Sequence, residues 1–135
     1  MKIFLNLSIV YHVVRFLIVC IIGQTLYFKF TGSEESRYIF TILAMEPWGR
    51  IGLAILETIC ILLIIIPKYV WLGALLAFNL MLGAILSHFV FLGIVVQDDG
   101  GLLFGLAVLV FFLSIYLLYI ERKKIPYIKD SFPID

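Results

Sequence analysis

The run 49-GRIGLAILETICILLIII-66 holds one carboxylate, Glu57, among residues that otherwise favour hydrocarbon. An ionisable group inside a bilayer costs roughly 3 kcal/mol or more and turns toward the bundle interior or a partner. Depth suggests the partners. At a helical rise of about 1.5 Å per residue, Glu57 falls about 12 Å below one surface of the apolar layer. Arg15, on an earlier apolar run, falls about 12 Å from the other surface, so in a core of about 30 Å the two levels differ by about 6 Å. Asn79 on a third run reaches a similar depth. The expected intramembrane cluster is therefore Arg15, Glu57 and Asn79. Two chemistries fit it: a buried ion pair that fixes helix register, and a relay for protons or substrate.

A second group is expected near the outer surface: Gln24, Lys29, Glu46, Arg50, His88 and Asp99. His88 with Asp99 and Glu46 in reach is a group that could bind a metal or move protons. Histidine also changes charge near neutral pH. The plainer alternatives are a hydrogen-bonded interfacial His88, and an Asp99 that caps a helix after a glycine turn. No HxxxH or HExxH spacing occurs, so no metal site is expected. His12 and His88 lie near opposite surfaces and cannot share one haem iron. Cys20 and Cys60 form no CxxC and read as small buried apolar residues. There is no nucleophile elbow, Walker loop or CxxCH. Nothing here reads as an autonomous enzyme.

The elements that must position these residues are membrane spans. The chain has 135 residues, 64% hydrophobic and 14% charged. A soluble domain is about half apolar and about a quarter charged. The net charge of +1 gives no reason to expect a nucleic-acid partner. Four apolar runs, 7–28, 49–66, 69–92 and 101–120, each suit a bilayer core. The reading is one all-α domain over 1–135, an antiparallel bundle of four transmembrane helices with an irregular tail at 121–135. The first run reads as a retained helix, not a signal peptide. Lys2, Lys68, Arg122, Lys123, Lys124 and Lys129 fall on one side. Lys29, Arg37 and Arg50 fall on the other, diluted by acidic residues, so both termini are expected in the cytoplasm. Small residues are expected at helix contacts: Gly73, Ala77 and Ala84, a second stripe of Asn79, Gly83 and Ser87, and Gly49, Gly52, Gly101, Gly105 and Ala107.

Several stretches resemble the DoxX-like family of small four-helix membrane proteins: 24-QTLYFKFTG-32, 46-EPWGRIG-52 leading to Glu57, 83-GAILSH-88 and 92-LGIVVQDDGGLLF-104. They come in the family's order and cover nearly the whole chain. The resemblance implies residence in a prokaryotic inner membrane. It also implies a redox-linked accessory role beside a membrane or soluble redox protein, with quinone as the cofactor to expect. The alternatives are a non-catalytic assembly or stabilising subunit, and a small proton or solute transporter. Four helices make a thin transporter and lack the broken helices common in that class, although an oligomer would enlarge it.

Overall fold

The structure, a computed structural model, describes residues 1–126. The remainder of the expected irregular tail lies outside the described residues. The helices are α1 (Lys2–Thr31), α2 (Glu34–Ile42), α3 (Trp48–Ile65), α4 (Val70–Ser87) and α5 (Leu102–Ile120). A 3-10 turn, Pro67–Tyr69, joins α3 to α4, a π turn, His88–Leu92, prolongs α4, and a second 3-10 turn, Arg122–Lys124, follows α5. Among the described residues there is no strand. Four of the helices are long and apolar enough to cross a membrane.

Local chemistry sets the boundaries. Gly32 takes the left-handed conformation (φ 66°) that ends α1, and its N–H returns to the Phe28 carbonyl. Ser33 caps α2, accepting from the Ser36 amide at 3.3 Å, and Glu34 and Glu35 occupy the positive first turn. The region between the first two apolar runs is not one of the four expected helices. It holds α2 because a capping serine and a first-turn acid pair start a helix without an apolar run. Pro67 forces Ile66 into extended backbone and stops α3.

The bundle closes as a ring: α1 packs on α3, α3 on α4, α4 on α5, and α5 on α1, while α2 touches α1, α3 and the π turn. Each long helix buries one stripe. On α4 it is Val70, Gly73, Ala74, Ala77 and Met81; on α3 it is Gly49, Arg50, Ala54, Glu57, Cys60 and Ile64. These follow the three- and four-residue spacing of one helix face. A third or less of each apolar window is buried, and the outward faces carry Phe16, Leu62, Leu86 and Phe112. A soluble bundle would set polar residues there. Lipid is the solvent this surface suits.

The expected small-residue contacts divide. Gly73 is a true contact: a Cβ there would lie 2.6 Å from Ile64 Cγ1 and 2.8 Å from the Ile64 amide nitrogen. The Cys60 thiol donates to the Gly73 carbonyl at 3.3 Å beside it. Gly52, Gly83 and Gly105 have nothing within 4 Å of such a Cβ and face outward. Cys20 is exposed and only Cys60 is buried, so the expectation of two buried cysteines holds for one.

Gly73→Ala should therefore force α3 and α4 apart. The expected cost is about 1–3 kcal/mol, the range for overpacking a tight contact. Gly83→Ala should cost nothing. Thermal unfolding of both variants in the same detergent checks the pair, and equal melting temperatures would refute the contact.

Candidate functional site

Glu57 turns inward, as a carboxylate in an apolar helix must, and meets Lys29. Lys29 Nζ lies 2.9 Å from Glu57 Oε2 and 3.1 Å from Oε1, and the two side chains are 15% and 4% exposed. Thr25, one turn before Lys29, accepts a third bond from the ammonium at 3.1 Å. Its own hydroxyl donates to the Ile22 carbonyl at 2.8 Å, which leaves its oxygen free to accept. The Lys29 carbonyl is also used, accepting from Arg50 Nη1. Arg50 Nε lies 3.0 and 2.9 Å from the two Glu46 oxygens, and Nη2 lies 2.8 Å from Oε1. The seam between α1 and α3 is thus one connected ladder from Glu57 through Lys29 and Arg50 to Glu46. It holds two cations and two carboxylates and is neutral. The Arg50 bonds hold the Glu46 carboxyl below the usual carboxylate range.

The two expected clusters are redistributed. Arg15 does not meet Glu57. Its Nε and Nη2 donate to the Ile64 carbonyl at 3.1 and 2.8 Å, and Nη2 to the Ile65 carbonyl at 2.9 Å. Asn79 is exposed and donates to the Leu75 carbonyl of its own helix at 2.8 Å. The expected depths fail because they were counted from the edge of the apolar run. Helix α1 starts earlier, at Lys2, and Tyr11 is already level with the end of α5, where its hydroxyl donates to Glu121 Oε1 at 2.6 Å. Residues 2–10, about 13 Å of helix, extend past that level. Arg15 therefore sits at the end of α3, and Lys29 is the cation that reaches Glu57.

Of the outer group, Lys29, Glu46 and Arg50 come together, and Gln24, His88 and Asp99 stand apart. Gln24 is exposed. His88 is buried, with Nδ1 2.7 Å from the Gly93 carbonyl. A carbonyl only accepts, so Nδ1 carries the hydrogen. The Gly93 amide donates back to the His88 carbonyl at 2.7 Å, and the ring stands edge-on to Phe104 at 5.4 Å. His88 fastens the end of α4 to α5. Asp99 accepts from the amides of Val96 (3.0 Å), Gly101 (2.8 Å) and Leu103 (3.0 Å). No hydrogen bond joins His88 to Glu46 or Asp99 among the described residues.

Two residues of these networks went unread in the sequence: Thr25 and Glu121. Glu121 continues the buried stripe Ala107, Val110, Ser114, Leu117 of α5 at the same spacing, and Thr25 lies one turn from Lys29. Both positions follow from helical periodicity once the buried faces are known. Among the described residues no cluster of three or more metal-ligating side chains occurs. Compared with known proteins, the chain matches no family model, no curated protein and no solved structure.

Burial opposes the charge on Asp99, but the Val96, Leu103 and Gly101 amides outweigh it and hold the carboxyl below its usual range. A depressed carboxylate stabilises the fold above its unfolded pKa, about 3.9, and that contribution is lost as pH falls through the folded value. Asp99→Ala should cost about 0.5–2 kcal/mol at neutral pH, as a lost helix cap does. The gap to wild type should close in strong acid. Melting temperatures against pH check both signs.

Proposed function

We propose that the chain is an accessory subunit of a redox-linked assembly in a prokaryotic inner membrane, a DoxX-like antiparallel bundle with both termini in the cytoplasm. It acts by holding or stabilising a partner rather than by catalysis. The observation that carries this is the use made of the ionisable side chains within the bundle. Glu57, Lys29, Arg50 and Glu46 are consumed by one neutral ladder between α1 and α3. His88 spends Nδ1 on Gly93, and Asp99 spends both oxygens on backbone amides. A general acid, base or headgroup ligand needs a side chain with its bonding capacity free. These groups instead hold helices together.

The charge distribution supports the orientation. Lys2, Lys68 and Arg122–Lys124 lie toward the end marked by Arg15, and Lys29, Arg37 and Arg50 toward the other with Glu34, Glu35 and Glu46. The richer cationic end belongs in the cytoplasm. The outward faces support a partner in the membrane. Gln24 is polar and exposed, and Asn79, exposed on the otherwise apolar outer face of α4, donates to Leu75 of its own helix and keeps its carbonyl oxygen for a neighbouring helix.

Native mass spectrometry of the protein extracted from its own membrane in mild detergent tests this reading. The expected result is a copurifying protein chain and no retained quinone. A retained quinone without a partner chain would replace the accessory reading with a quinone-binding one. A chain recovered alone, with neither, would refute both.

A further inference from the structure

At the end of the bundle away from Glu57, two cavities meet on the same two side chains. One, about 430 Å³, opens between α1, the Pro67 turn and the end of α5, and its polar walls are Ser8, Tyr11, His12, Arg15, Glu121 and Lys124. The other, about 280 Å³, shares His12 and Arg15 and continues between α1 and α3, where its other walls are Phe16, Val19, Ile64 and Ile65. Together they form a groove with a charged chamber and an apolar one. Helix α1 carries both, and it is long and apolar enough to cross a membrane.

The charges in the groove do not cancel. Glu121 is answered twice, by the Tyr11 hydroxyl at 2.6 Å and by Lys124 Nζ at 2.7 Å. Arg15 has no carboxylate within 4 Å among the described residues. Its partners are the Ile64 and Ile65 carbonyls and His12 Nδ1, 3.4 Å from Nη1. Carbonyls at a helix C-terminus carry only partial negative charge, and Nη1 keeps one hydrogen unused. The site therefore presents a net positive charge.

Its level matters as much as its charge. Ile64 and Ile65 end α3 just before the Pro67 turn, so Arg15 lies where the apolar layer ends and headgroups begin. The apolar chamber leads from there along Phe16 and Val19 toward the middle of the helix. Lys68, Arg122 and Lys123 surround the same end. Such a basic rim draws anionic lipid to the surface.

We propose that this groove binds one anionic phospholipid. Its phosphate lies against Arg15, His12 and Lys124, and an acyl chain lies past Phe16 and Val19 against Ile65. A charged head and an apolar tail are the two chemistries that the two chambers present, in the order a bilayer supplies them. A bound lipid would also bear on the joint between α1 and α3, because Arg15 makes that joint.

The test uses the full chain in mild detergent, incubated with phosphatidylglycerol or with phosphatidylcholine of the same acyl chains, and read by native mass spectrometry. Wild type should retain one phosphatidylglycerol per chain. Arg15→Gln should lower that retention about fivefold, the weight of one cation against an anionic lipid. Because Arg15 also joins α1 to α3, Val19→Trp serves as a second variant. It fills the apolar chamber, leaves every charge in place, and should lower retention with an unchanged melting temperature. A large excess of inorganic phosphate should not displace the lipid. Equal retention of phosphatidylcholine would overturn the proposal. So would full retention by both variants, displacement by inorganic phosphate alone, or retention of a quinone in place of the lipid.

Discussion

A carboxylate placed in the middle of an apolar helix cannot be left alone, and much of this fold follows from how Glu57 is answered. Charge without a partner in a low dielectric is costly, and a single nearby cation offsets it only when the remaining bonding positions are also filled. Lys29 meets both oxygens of Glu57, Thr25 meets the ammonium, and the Lys29 carbonyl receives Arg50. That requirement admits one vertical register of α1 against α3. The register in turn brings Arg15 to the end of α3 and Tyr11 to the end of α5. Apolar side chains alone would tolerate a sliding contact, since lipid is as apolar as the helix surface. The polar ladder removes that freedom.

The two ends of the bundle then have different characters. The Glu57 end is electrically closed, with Glu46 and Arg50 completing the ladder. His88 and Gly93 bind each other across the π turn, and Asp99 gathers the amides that start α5. The Arg15 end is open, with a groove and an unbalanced cation. At this same end α3 and α4 come together at Gly73, where a missing side chain admits Ile64. The buried charge ladder lies toward one end and the unbalanced cation at the other.

The architecture was legible because its signals are long. Four apolar runs and a Pro67 break give four helices that suit a bilayer without any knowledge of packing. The inward turn of Glu57 was legible for the same reason, since its cost depends on composition alone. Its partner was not. Pairing depends on the relative height of two helices, and Lys29 and Arg15 stand fourteen residues, about four helical turns, apart on α1, so a misjudged height names the wrong cation. The hydropathy edge near Leu7 hid that offset, because α1 continues to Lys2 through residues that are apolar but lie past the end of α5. Asn79 and Gly83 failed differently. Their spacing on α4 is regular, but the stripe that faces α3 and α5 is the adjacent one through Gly73, Ala74 and Ala77. Spacing identifies a face and leaves open which neighbour, if any, it meets.

The claim that the Lys29–Glu57 pair sets the register is tested most directly by exchanging the two residues. Lys29→Glu and Glu57→Lys are each expected to cost about 3–5 kcal/mol, because each leaves like charges buried together. Unfolding of both single variants and of the double exchange in one detergent gives the coupling between the two positions. The account predicts that the double variant regains more than half of the summed loss. Additive losses, with the double variant as damaged as the two singles together, would show that the pair does not hold α1 to α3.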